Sequence, residues 1–176
     1  MNRITIKPEN LTTRIHHLWN NQWLLLSCGD FKNNEFNCMT VGWGSIGTMW
    51  SQPFVQVVVR PTRFTHRFME KYPDFTLSAF PKEYRKDLSL LGSISGRDGD
   101  KLSKTALTPI SSKKVASPSY DEAELIIECR KIYRSQFKPE QFLDPKIEDK
   151  YPEKNYHIVY FGQIVHVQGI EKYHVD

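Results

Sequence analysis

The stretch Gly42-Trp43-Gly44-Ser45-Ile46-Gly47-Thr48-Met49-Trp50-Ser51-Gln52-Pro53 decides the fold, because its glycines can be read in two ways. Gly42 to Gly47 matches G-x-G-x-x-G, the loop that opens a helix after a strand and cradles a dinucleotide pyrophosphate. Here no helix can follow. Pro53 arrives soon after Gly47, and the β-branched run Phe54-Val55-Gln56-Val57-Val58-Val59 reads as a strand bounded by Pro53 and Pro61. The acidic residue expected about 20 positions further on is missing, since that stretch reads Thr62-Arg63-Phe64-Thr65-His66-Arg67. The doubly wound reading fails, and no G-x-x-x-x-G-K-[ST] phosphate loop occurs elsewhere. In a strand, such glycines mark a bulge, a tight barrel corner, or a place where a ligand or another backbone comes close.

Working outward, Gln22 to Cys28 reads as a buried strand, with turn signals at Gly29-Asp30 and Asn33-Asn34. Cys38 to Ile46 is an extended run. Thr62 can cap a helix from about Arg63 to Lys71, with Phe64 and Phe68 on its apolar face. Asp74 to Phe80 alternates, placing Phe75, Leu77 and Ala79 on one face and Thr76, Ser78 and Phe80 on the other. Pro81 suits the first turn of a second helix that ends near Leu91. Glu122 to Ile132 and Tyr156 to Val167 are long strand candidates, and the charged, proline-bearing Phe142 to Asn155 between them reads as irregular. Many strands with two or three helices predict a mainly β fold, a closed or nearly closed barrel, as one domain over residues 1–176.

Composition narrows the function. Hydrophobic residues at 39% and charged residues at 25% describe an ordinary globular chain. The formal charge of +4 is mild, and Lys and Arg are scattered among acids, unlike the one-sided stripe of a nucleic-acid binder. The opening Met1-Asn2-Arg3-Ile4-Thr5-Ile6 lacks the apolar run of a signal peptide, and no stretch approaches the roughly 18 apolar residues of a membrane helix. Cys28, Cys38 and Cys129 form neither a C-x-x-C pair nor a disulfide framework, which predicts reduced thiols in a cytoplasm. Cys38 reads as a buried thiol rather than a redox centre. The six histidines show no ligand spacing, so no metal is expected.

Two further segments carry polar chemistry. Arg60-Pro61-Thr62-Arg63-Phe64-Thr65-His66-Arg67 sits where a buried strand gives way to a helix, so free N–H groups, hydroxyls and guanidinium groups could receive a phosphate. A capped helix with a solvated basic face reads the same way. Gly92-Ser93-Ile94-Ser95-Gly96-Arg97-Asp98-Gly99-Asp100-Lys101 is a small-residue loop, which a plain surface turn would also explain.

Together with Asn37-Cys38-Met39-Thr40-Val41-Gly42-Trp43-Gly44, these segments resemble the flavin reductase-like family with the FMN-binding split-barrel fold. Phe75 to Phe80 and the late Tyr156-His157-Ile158-Val159-Tyr160-Phe161-Gly162-Gln163-Ile164-Val165 follow in the family's order. The resemblance spans about Trp23 to Val167. It implies a homodimer holding FMN near the subunit interface. By position, Met39, Thr40, Gly42, Trp43, Gly44 and Ser45 would approach the isoalloxazine and ribityl chain. Arg60, Thr62, Arg63 and Thr65 would take the phosphate, and Ser95, Gly96 and Lys101 would close the other side. The implied activity is NAD(P)H-dependent flavin reduction, with hydride passing from nicotinamide to flavin N5 and no side-chain acid or base required at the reacting atom. The alternative is a non-catalytic FMN-binding electron carrier, flavoredoxin-like, that works with a protein partner.

Overall fold

The computed structural model describes residues 1–176. Ten strands follow in chain order: β1 (Ile4–Thr5), β2 (Leu24–Asp30), β3 (Glu35–Val41), β4 (Gly44–Met49), β5 (Gln52–Val59), β6 (Asp74–Ala79), β7 (Pro109–Ile110), β8 (Ser119–Tyr120), β9 (Leu125–Gln136) and β10 (Ile158–Gly169). Eight of them form one antiparallel sheet in the order β3-β2-β6-β9-β10-β5-β4, with β1 added to β10, while β7 and β8 pair separately. The last and first strands of that path, β4 and β3, are consecutive in the chain but do not pair. The sheet therefore curls towards a barrel and leaves a seam between β3 and β4.

The alternation expected in residues 74–80 is present, and it separates two cores. Phe75, Leu77 and Ala79 join Leu24, Leu26, Cys28, Val55, Val57, Ile127 and Val167 in the interior cluster. Leu25, Phe80 and Ile126 point the other way, under a second cluster with Leu88, Leu91, Leu107 and Tyr120. Strands β2, β3 and β9 thus feed both clusters, because successive side chains leave opposite faces of a pleated strand. Between these outward apolar residues lie polar ones satisfied locally. Ser27 and Tyr120 hydroxyls meet at 2.8 Å, and Glu128 accepts from the backbone N–H groups of Lys113 and Lys114.

Several boundaries differ from the sequence reading. The extended run from Cys38 to Ile46 is two strands, broken at Gly42-Trp43. The long late strands begin two or three residues later than expected and run further, to Gln136 and Gly169. Their register shifts at Phe161/Gly162 and Ile164/His166, and such bulges bend strands this long around a barrel. The helix after β5, α2 (Thr65–Lys71), has Phe64 at its N-cap and no side-chain cap, so Thr62 does not cap it. A turn from the Arg63 N–H to the Arg60 carbonyl intervenes and carries Thr62 out to solvent. Pro81 precedes a 3-10 turn (Lys82–Tyr84) that runs into α3 (Arg85–Ser93). The N-terminal helix α1 (Ile15–His17), which the sequence reading omitted, continues into a π-helical turn (Leu18–Gln22). The region 142–155 contains a 3-10 segment, Pro145–Lys150. No helix is long and apolar enough to cross a membrane.

Candidate functional site

The seam is where the singled-out residues gather. Met39 and Thr40 at the end of β3, Gly42 and Trp43 in the break, and Arg60 after β5 line a cavity of about 230 Å³ with Val58 and His157. On the other side of Thr40 and Gly42, a cavity of about 320 Å³ is walled by Trp23 and by Leu88, Ser89, Gly92 and Ser93 of α3. Ser89, Gly92 and Ser93 lie three and four positions apart, so a small-residue face of the helix looks onto the seam. The Thr40 hydroxyl donates to the Leu88 carbonyl at 2.5 Å and sets the distance between helix and strand.

Ser93 also belongs to a third, small cavity of about 50 Å³, lined by Asn37, Arg63, Phe64, Thr65, Ser95, Gly96 and Lys101. Local bonds fix this corner. Asn37 donates through Nδ2 to the Thr65 hydroxyl at 2.8 Å, and that hydroxyl donates to the Cys38 carbonyl at 3.2 Å, which pins the start of α2 onto β3. The Phe64 and Thr65 N–H groups have no backbone acceptor, as expected at a helix start. Arg63 donates to the Gly92 carbonyl at 2.5 Å, and burial lowers its pKa. Lys101 is only 4% exposed, and its Nζ donates to the carbonyls of Leu91 and Ile94 at 2.9 and 3.1 Å. Two cationic side chains thus converge on one small hollow beside two hydroxyls, and burial also pulls the Lys101 pKa down.

Gly96 shows why the loop carries a glycine. A Cβ there would lie 2.5 Å from Asn37 Oδ1 and 2.8 Å from Phe64 Cδ1, so the backbone is packed against both. Gly44 has a different reason: a Cβ would meet the Gln56 carbonyl and the Trp19 ring, both at 2.4 Å. Its small size serves barrel packing by Trp19.

Around the first cavity, His157 is nearly buried and its Nδ1 lies 2.8 Å from the Tyr151 hydroxyl. Burial, reinforced by the Arg60 charge, pushes its pKa down to about 4, so the ring is neutral at physiological pH. The rings of Trp43 and His157 lie 5.2 Å apart, and Trp43 is 49% exposed. Arg60 covers the Tyr151 ring, donates to Asn155 Oδ1, and donates to the Lys150 carbonyl at 2.8 Å. It therefore anchors the segment between β9 and β10 over the seam.

The structure brings Met39, Thr40, Gly42, Trp43 and Arg60 to one end of the seam and Arg63, Thr65, Ser95, Gly96 and Lys101 to the other. Gly44 and Ser45 continue along β4, where Ser45 donates to Gln56 Oε1 at 3.2 Å. Thr62 is exposed, and its carbonyl accepts from Arg97. Residues outside the predicted set complete the walls: Asn37, His157, Trp23, Ser89, Gly92 and Ser93. Asn37 could have been found as a polar residue inside a strand run, and Ser89, Gly92 and Ser93 by their helical spacing. Cys38 is buried, and burial raises its thiol pKa, which disfavours the reactive thiolate.

The family model for a flavin reductase like domain matches residues 21–174. An uncharacterized protein of Archaeoglobus fulgidus is 28% identical over 131 residues, which cover 74% of this chain and 64% of that protein. The chain thus spans less than two thirds of this curated relative. Among solved structures, the FMN-binding domain of a flavin reductases-like enzyme from Shewanella baltica superposes with a TM-score of 0.68 at 15% identity, covering 96% of this chain and 77% of its own. The flavoredoxin of Desulfovibrio vulgaris gives 0.66 at 21%, covering 92% and 75%. The Streptomyces globisporus NADH:FAD oxidoreductase, solved with NAD and FAD fragments, gives 0.62 at 14%, covering 83% and 73%. At these identities the structures share its fold.

Proposed function

This chain belongs to the flavin reductase like domain family, and from that premise we propose that it binds FMN along the seam and passes electrons from NADH or NADPH through it. One observation carries the reading: three adjoining cavities run from a basic hollow to a groove beside Thr40 and Gly42. The residues suit the ligand. Arg63, Lys101, Thr65 and Ser95 offer charge and hydroxyls for a phosphate, with Gly96 letting the loop backbone close in. Met39, Thr40, Gly42 and Trp43, continued by Gly44 and Ser45, offer backbone and an apolar surface to a flat ring. Arg60 and Thr62 would act at the edges, Arg60 by holding the 150–155 segment over the groove.

Bound FMN would supply hydride acceptance from a reduced nicotinamide and onward electron transfer. The chain's part is to position the reactants and to exclude water. His157, held neutral, would line the groove without adding charge, and Arg60 would place a fixed positive group beside it. Trp50 and Tyr133 lie exposed with their rings 5.9 Å apart, and a second copy covering them would make the homodimer.

The test is the visible spectrum of protein purified without flavin, repeated after FMN addition and dialysis. Flavin bands that persist and bleach anaerobically with NADH or NADPH are the expected result. Bands that persist without bleaching would replace the reductase with an electron carrier. Failure to retain FMN would remove the site.

A further inference from the structure

Away from the seam, a cavity of about 520 Å³ opens between the π-helical turn, the start of α3 and the C-terminal turn Glu171–Tyr173. It shares only Leu88 with the groove wall, so it is a separate hollow. Two groups of opposite sign are fixed in its lining.

The first is Glu124, 4% exposed. Its Oε1 accepts from Gln22 Nε2, Lys172 Nζ and the Tyr173 hydroxyl, each at 2.5 Å. Three donors on one oxygen hold the carboxylate still. Its Oε2 has no partner in the chain and is not sealed from solvent, while the residue forms part of the cavity wall. A nearly buried carboxylate oxygen of this kind calls for an N–H or O–H donor.

The second is Arg85. Its Nη1 donates to the carbonyls of Asn21 and Gln22, and the guanidinium lies over the Trp23 ring. These contacts leave Nε and Nη2 unused, in a fork whose plane is already set. A pre-oriented guanidinium with spare donors suits a carboxylate or phosphate and loses little freedom on binding. Lys82 and Lys172 add charge at the rim, so the lining is net positive despite Glu124. Positive charge selects an anion, and the free carboxylate oxygen selects a donor on the same molecule.

We propose that this cavity binds a small organic anion, carboxylate or phosphate, that also bears an amino group, which donates to Glu124 while the anion pairs with Arg85. An acidic amino acid and an aminated nucleotide share this chemistry.

The experiment is a 1H–15N NMR titration of the whole protein with L-glutamate against glutarate, and with 5′-AMP against purine riboside 5′-monophosphate, each pair differing in the amino group. Expected is saturable binding of one aminated probe with Kd below about 1 mM, its deaminated partner being roughly tenfold weaker. Shifts should centre on residues 82–88 and 171–173, and Arg85→Gln should weaken binding by about tenfold or more. Glutamate over glutarate assigns an amino acid, and AMP over purine riboside 5′-monophosphate a nucleotide. Equal binding within each pair, binding unaffected by Arg85→Gln, or no saturation by about 10 mM overturns the proposal. The paired probes keep the test decisive even where a Glu124 variant fails to fold.

Discussion

At the basic end of the seam the polar side chains are held in place by bonds within the chain: Thr65 by Asn37 and Cys38, Lys101 by two carbonyls at the end of α3, and Arg63 by Gly92. At the other end, Trp43 stands 49% exposed and Ser45 makes one long bond, with Arg60 turned towards the 150–155 segment. The first region is organised before anything binds, while the second is a surface shaped largely by backbone. Affinity should therefore reside at the basic end, and the open end should set what reaches the ligand.

The strongest way to break this contrast is Arg63→Ala. Losing one of two converging cations should weaken FMN binding by about 100-fold, the scale of a charge-assisted pair of bonds, with the barrel still folded. Fluorescence titration of FMN reads the affinity and thermal melting reads the fold. A loss below threefold would mean that the phosphate does not sit there.

His157 probes the open end through stability. Its pKa in the folded chain, about 4, lies below the ordinary 6.5, because burial and the Arg60 charge disfavour the protonated ring. Between those values the unfolded chain binds more protons, so stability rises with pH. The contribution is complete above 6.5 and lost progressively as pH falls towards 4. It amounts to roughly 2 to 3 kcal/mol. His157→Gln should flatten that part of the Tm-against-pH curve; an unchanged slope would show that the histidine titrates normally.

Gly96→Ala sharpens the comparison on a smaller scale. The added methyl must displace both Asn37 Oδ1 and the Phe64 ring, which should cost about tenfold in FMN affinity while leaving the open end unaltered. Unchanged affinity would mean the loop yields freely. Ser45→Ala should do least, under about twofold, since its hydroxyl is held by Gln56 and the open end relies on backbone. A larger loss would place a specific side-chain bond where none is expected.

The glycine-rich stretch was readable as strand because Pro53 and the valines after it leave no room for a helix. Residues 74–80 announced both faces of β6 through simple alternation, and the two clusters beneath those faces bear that out. The start of α2 misled the reading. Thr62 looks like a cap, but the turn from Arg60 to Arg63 displaces it, and Asn37, from another strand, takes hold of Thr65 instead. Gly44 was also ambiguous, since a glycine opened for a ligand and one emptied for Trp19 are the same letter in a sequence.

By itself, then, the sequence determined the longer strands β2, β5, β6, β9 and β10, the two faces of β6, and the segments that resemble a flavin site, because periodicity, proline and turn chemistry act over a few neighbouring residues. Only the tertiary structure decided that β3 and β4 stay unpaired and that Asn37 and His157 enter the site. It also decided that Glu124, Arg85 and Lys172 surround one hollow. Those placements depend on contacts between residues as far as 151 positions apart, whose pairing is set by how the whole sheet closes.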